Sequence, residues 1–227
     1  MKTQLKRIPI EKNITRFFHQ LFKGKQRKPF PGSEEYWEQR YASGGNSGVG
    51  SYDKFAEFKA EILNSFVHRN KLSNVIEFGC GDGNQLSLAS YPNYTGFDVS
   101  QTILGECKKR FSEDSSKKFK LMKDYDGETA DLTLSLDVIY HLVEEEIFES
   151  YMLNLFNASN QYVIVYASDS DDNKGMEGTH VKHRKFTEWI DKNLPQWILM
   201  DHIPNKYPYA GNYKTGSFAD FYVYKKP

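Results

Sequence analysis

The residues whose types and spacing suggest chemistry begin at Val75-Ile76-Glu77-Phe78-Gly79-Cys80-Gly81-Asp82-Gly83-Asn84. An apolar run ends there in Gly-x-Gly-x-Gly, a bend in which backbone can approach a ligand with no Cβ in the way. Dinucleotide loops read Gly-x-Gly-x-x-Gly and seat a pyrophosphate at a helix N-terminus. Here Asn84 takes the sixth position, and Glu77 and Asp82 put two carboxylates around the bend. Two anions suit a cationic ligand better than a pyrophosphate. Asp98 closes the next apolar run, where an acid can accept hydrogen bonds from both hydroxyls of a ribose. Cys80 reads as a small packing residue, since it and Cys107 have neither metal nor redox spacing.

Such residues need elements to hold them. From residue 74 the hydrophobic pattern alternates strand and helix. It predicts strands at 74–78, 94–98, 118–122, 131–136, 162–167, 197–202 and 218–224. It predicts helices at 100–111, with Ser100 as cap, and at 143–157 and 185–194. Two helices precede them. One spans 33–41 with Ser33 as candidate cap, and the other spans 52–68 with Phe55, Phe58, Ile62 and Phe66 on one face. Between these two, the glycine-rich stretch 43–51 reads as flexible. Repeated strand–helix units imply an α/β, Rossmann-like, doubly wound and mostly parallel sheet. Ligands bind such sheets beyond the carboxyl ends of the strands, at the switch in strand order.

The 227 residues carry no formal net charge, but residues 1–30 hold +8, which leaves −8 on the rest. An acidic body argues against nucleic acid as a partner. Residues 1–32 form a basic arm ahead of a domain at 33–227. Within the arm, residues 10–22 place Ile14, Phe17, Phe18, Leu21 and Phe22 at helical spacing, and Pro29, Pro31 and Gly32 mark a break. The arm suits either an anionic membrane surface or packing on the domain or a partner subunit. No signal peptide or bilayer-spanning run is visible, and a cytoplasmic setting, peripheral to the membrane's inner face if the arm binds there, is expected.

Taken together, Glu77 to Gly83, Asp98, the stretch Lys123-Asp124-Tyr125-Asp126 and the run 131–142 resemble the class I S-adenosylmethionine-dependent methyltransferases. The resemblance covers about residues 36–224. It extends to a branch found beside glycosyltransferases in surface-polysaccharide biosynthesis. That closer likeness is carried by Tyr36-Trp37-Glu38-Gln39-Arg40-Tyr41, the glycine stretch 44–50, His180-Val181-Lys182-His183-Arg184-Lys185-Phe186-Thr187 and Ile203-Pro204-Asn205-Lys206-Tyr207-Pro208-Tyr209.

The resemblance implies a seven-stranded sheet whose last strand is antiparallel. It implies S-adenosylmethionine as donor, held by Glu77, Gly79, Cys80, Gly81, Gly83 and Asn84, by Asp98 and Val99, by Asp124 and Tyr125 at the adenine, and by Asp137. Tyr36 and Arg40 would fold over the donor, with Arg40 on its carboxylate and the glycine stretch as lid. Asp137 and His141, after the fourth strand, are candidate catalytic groups, with His141 the best general base and His180 and His183 as alternatives. Arg184, Tyr207, Tyr209 and Tyr213 are candidate acceptor-binding residues for a sugar, glycan precursor or sugar phosphate. Asp137 with Asp169 resembles the oxygen set of magnesium-dependent O-methyltransferases, while a chain without metal is the main expectation. Methylation of a phosphate-linked oxygen or a small metabolite, an NAD(P)-dependent oxidoreductase and a non-catalytic scaffold are the competing readings.

Overall fold

A computed structural model describes residues 30–176 and 179–227. The basic arm before residue 30 lies outside the described residues. Two helices, α1 (Ser33–Ala42) and α2 (Asp53–Arg69), lead into β1 (Asn74–Phe78), β2 (Asn93–Asp98), α3 (Gln101–Arg110), β3 (Lys117–Leu121) and β4 (Ala130–Leu136). Then come α4 (Glu145–Asn157), β5 (Ser159–Ala167), α5 (Phe186–Asn193), β6 (Ile198–Ile203) and β7 (Asp220–Lys225).

The seven strands form one sheet in the order β3-β2-β1-β4-β5-β7-β6. β1 to β5 pair in parallel, while β7 runs antiparallel to both β5 and β6. The continuous apolar runs arise because both faces of the sheet are covered. Along β5, Tyr162, Ile164 and Tyr166 enter the core beneath α2, while Val163, Val165 and Ala167 enter the core shared with α4 and α5. The chain winds outward from β1 through β2 to β3, then returns to lay β4 against the other side of β1. The segments that follow β1 and β4 therefore diverge and leave a cleft at their carboxyl ends.

Two local expectations change. Ser33 does not cap α1 through its side chain. It lies inside the helix, buried, and its Oγ bonds Glu144 Oε2 at 2.5 Å while its N–H donates to Glu144 Oε1 at 2.9 Å. It thus ties α1 to the entry of α4. The 43–51 stretch is anchored at several points, as described below. Ser100 does cap α3, accepting from Ile103 N at 3.2 Å. Among the described residues no helix is long and apolar enough to cross a membrane.

Leu134 sits fully buried in β4 at the centre of the sheet. Leu134→Ala should cost about 2–5 kcal/mol, the usual range for such a truncation, and lower the urea midpoint accordingly.

Candidate active site

The glycine bend after β1 sets the geometry. Gly81 has φ 57°, and a Cβ there would fall on Ser47 Oγ; a Cβ on Gly79, at φ 78°, would lie 2.5 Å from Val138 Cγ2. Side chains are thus excluded from both positions by conformation and by space. The bend opens on a cavity of about 1050 Å³ at the carboxyl ends of β1, β2, β3 and β4. Glu77, Gly79, Cys80 and Gly81 line it from β1 and the bend, Asp98 and Val99 from β2, and Asp137 and His141 from the segment after β4.

Glu77 is buried, and Tyr94 donates its hydroxyl to Glu77 Oε2 at 2.7 Å. Burial pushes its carboxyl up to about 7, against the pull of Tyr94 and Lys59. Asp98 is also buried and accepts from Gly81 N at 2.9 Å and Ser100 N at 3.0 Å. Burial raises it to about 6, and those N–H groups oppose the rise. Two carboxylates that resist ionisation thus face one cavity, a wall suited to a cation and to hydroxyl donors.

His141 Nδ1 lies 2.9 Å from the carbonyl oxygen of His180, which fixes the proton on Nδ1 and leaves Nε2 as an acceptor. Its ring packs edge-on to Trp37 and Tyr140 and stacks on His180. Burial lowers its pKa to about 4, so the imidazole is neutral at physiological pH. Asp137 has φ 61°, with Oδ2 held by Lys59 Nζ at 2.6 Å and Oδ1 by the Tyr140 hydroxyl at 2.7 Å.

Asp82 and Asn84 serve a different purpose from the ligand contacts expected of them. The Asp82 carboxylate accepts from Ser47 N, Tyr52 Oη and Asn84 N, and its own N–H donates to Ser47 Oγ. Asn84 Nδ2 donates to Ser51 O at 2.7 Å. Together they strap the 43–51 stretch onto the glycine bend and are themselves off the cavity wall, which Ser47 and Ser51 of the stretch line. Gly83, at φ 71°, lies against Cys107 and Phe111 and shapes the turn.

Other expected site residues are also turned elsewhere. Asp124 is exposed, and Tyr125 packs edge-on to Phe78 and Phe97; the strand ends one residue early, so Leu121, Met122 and Lys123 line the cavity instead. Tyr36 stacks on His180, and Arg40 donates Nε to Asn46 O, while Trp37, Glu38 and Tyr41 form the α1 part of the wall. No helix carries His180 and His183 together. His183 is buried, with Nδ1 2.5 Å from Ser168 Oγ, away from the cavity. Arg184 donates to the carbonyls of Leu142 and Val143 and pairs with Glu145, which leaves it a brace for the entry to α4 rather than a ligand for an acceptor. Tyr207 packs on Phe55 and Phe58, Tyr209 stacks on Phe218, and Tyr213 is exposed; none lines the cavity. Asp169 accepts from Thr187 N and Oγ1 at the start of α5. Among the described residues, no three His, Cys, Asp or Glu side chains are grouped to hold a metal.

Lys59 was not singled out in the sequence, yet it lines the cavity with its side chain 1% exposed. The signal was present. It falls four residues after Phe55 and three before Ile62, inside an apolar stripe where a lysine is out of place.

No protein-family model and no curated protein matches the sequence. Solved structures do match. The N-methyltransferase NodS from Bradyrhizobium japonicum WM9, in complex with S-adenosylhomocysteine, superposes with a TM-score of 0.66 at 16% identity, over 86% of this chain and 98% of that one. The magnesium protoporphyrin IX methyltransferase ChlM from Synechocystis PCC 6803, with S-adenosylhomocysteine bound, gives 0.63 at 14% identity over 86% and 98%. The methyltransferase domain of bacterial CtHen1 gives 0.55 at 21% identity over 74% and 97%. The chain has the methyltransferase fold. The strap from α1 to α2 is built on Asp82.

Asp82→Asn should weaken that strap by about 1–3 kcal/mol, because it leaves donors on Ser47 and Tyr52 poorly matched. Hydrogen exchange should show faster amide exchange at 46–52, with β5 unchanged.

Proposed function

We propose that the chain binds S-adenosylmethionine and transfers its methyl group to a hydroxyl of a sugar or glycan precursor. The observation that carries the donor is the pair of buried carboxylates, Glu77 and Asp98, set on either side of a bare glycine bend in one cavity. Asp98 would suit the ribose of a dinucleotide equally, but a dinucleotide would bring its pyrophosphate to the bend beside Glu77, which disfavours the oxidoreductase reading. The donor supplies an electrophilic methyl on a positively charged sulfur. Asp98 suits the ribose hydroxyls, and Leu121, Met122, Lys123 and Ile147 offer an apolar-edged slot for the adenine. The protein's task is then alignment of the acceptor.

The neighbours named above differ in acceptor, one being named for a tetrapyrrole and one for nitrogen, so the fold does not choose the substrate. Support for a sugar hydroxyl comes from the sequence resemblance to the polysaccharide-associated branch. It also comes from the wall at that end, where Trp37 offers a flat apolar face beside Ser33, Glu34 and neutral His141. The expected role of Tyr207, Tyr209 and Tyr213 passes to Trp37 in this reading. A metal is not needed to bind this donor set, and Asp137 and Asp169 are each engaged by protein groups.

The test is transfer of labelled methyl from S-adenosylmethionine to a panel of saccharides, saccharide phosphates and amines, with and without chelator. Label in saccharides is expected; label confined to amines would overturn the acceptor, and no donor binding would overturn the whole reading. Asp98→Asn should weaken donor binding by ~1.5–3 kcal/mol, the range for a hydrogen bond to a charged group.

The sign of the pH dependence follows from the raised carboxyls. Glu77 near 7 and Asp98 near 6 hold protons in the free protein that the unfolded chain would release at lower pH. Their stabilising contribution is present at acid pH and is lost as pH rises through those values. A cationic, hydroxyl-donating ligand favours the ionised forms, so binding expels protons. Donor affinity should therefore rise between pH about 5 and 8, by up to about tenfold per pH unit for each proton released. Calorimetry in two buffers of different ionisation heat gives the proton count, and a flat profile would contradict the assignment.

A further inference from the structure

We propose that Lys59 is a positioning residue for the transfer: with Tyr140 it fixes the Asp137 carboxylate in the cavity wall so that Asp137 takes the proton of a hydroxyl acceptor. This rests on the reading of the cavity given above. The starting observation is a lysine where the helix calls for an apolar residue. Lys59 lies on the buried face of α2 with Phe55, Phe58 and Leu63, its side chain 1% exposed. Its Nζ is 2.6 Å from Asp137 Oδ2 and 5.2 Å from the centre of the Tyr166 ring.

Stability alone does not account for this arrangement. A buried ion pair is commonly no better than apolar residues of the same volume, since both charges lose their water. Asp137 is also held in the left-handed region at φ 61°, a conformation that costs a non-glycine residue on the order of 1–3 kcal/mol. Costs of this kind gather at functional sites, and the pair lies on the wall of the main cavity.

The groups facing Asp137 are Lys59 from α2, Tyr140 and His141 from the turn after β4, and Tyr166 from β5. Of these, Lys59 alone is a cation. Tyr140 donates to Oδ1, so lysine and tyrosine together fix both carboxylate oxygens while each oxygen keeps a lone pair. In transfer to a hydroxyl, a C–O bond forms as the C–S bond breaks. The C–S electron pair stays on sulfur, and the hydroxyl proton passes to the Asp137 carboxylate. A protonated ether is a far stronger acid than a carboxylic acid, so an ion-paired carboxylate is base enough. A proton on His141 would instead create a buried cation within the field of Arg40. Protonated Asp137 leaves Lys59 without its partner, which drives the proton on to solvent and resets the site.

The test has an arm that needs no acceptor. The full chain is labelled with 13C at aspartate carboxyls, and the Asp137 signal is assigned with Asp137→Asn. Spectra are recorded with and without S-adenosylhomocysteine. The Asp137 carboxyl resonance should keep its wild-type position in Lys59→Arg, and should shift and broaden in Lys59→Met, where Oδ2 has lost its partner. With a saccharide that accepts methyl in the panel above, Lys59→Met should lose about 10²–10⁴-fold in kcat, the range for a lost general base. Its donor KM should move by less than about threefold, and Lys59→Arg should recover most of the lost kcat. An Asp137 resonance unmoved in Lys59→Met, or a kcat there within about threefold of the wild type, overturns the proposal. If Lys59→Met does not fold, the pair Lys59→Met with Asp137→Asn leaves no charge unpaired; it should still bind S-adenosylhomocysteine and fail to transfer, and transfer at the wild-type rate overturns the proposal. Failure of the wild type to bind S-adenosylhomocysteine would instead remove the donor reading itself.

Discussion

Lying side by side, β1 and β4 point the same way but belong to different halves of the winding, and the rest of the molecule's chemistry depends on that junction. The backbone after β1 must turn away over β2, while the backbone after β4 must turn toward α4. Neither can fill the space between them. Glu77, Asp98 and Asp137 all reach the resulting cavity at or just after the end of a strand whose register is locked by a sheet buried on both faces. That rigidity lets a few polar side chains be held in a fixed relation without a metal or disulfide between them.

The polar groups at this junction are individually expensive, and each is managed by a partner that limits its freedom. Glu77 is kept by Tyr94, Asp98 by two backbone N–H groups, and Asp137 by Lys59 and Tyr140. His141 is managed in the opposite sense. Its burial keeps it neutral, against the pull of the His180 carbonyl on Nδ1, so it presents an acceptor without adding charge. The result is a cavity with anionic capacity at the β1–β2 end, a balanced ion pair at the β4 end and a neutral imidazole near Trp37.

The strap over the cavity shows how one loop carries two duties. Its glycines read as slack in isolation, but Ser47 and Ser51 are bonded to Asp82 and Asn84 of the bend. Two residues of the linear motif, Asp82 and Asn84, therefore hold this stretch to the bend. Arg184 and His183 follow the same logic: a charged or titratable residue near a site is often consumed in holding the backbone that forms it.

The linear sequence determined what depends on neighbours along the chain. Strand and helix periodicity, the Ser100 cap and the positive-φ glycines of the bend are local demands of the backbone, and they led to the sheet and to the region of the cavity. What only the tertiary structure decided was which side chains face one another. Lys59 meets Asp137 across 78 positions, Ser47 meets Asp82 across 35, and His141 meets the His180 carbonyl across 39. Those pairings turn on helix rotation and strand register, where one residue's shift swings a side chain to another face. That is why Leu121, Met122 and Lys123 took the place expected for Asp124 and Tyr125, and why the tyrosines after β6 stand off the cavity.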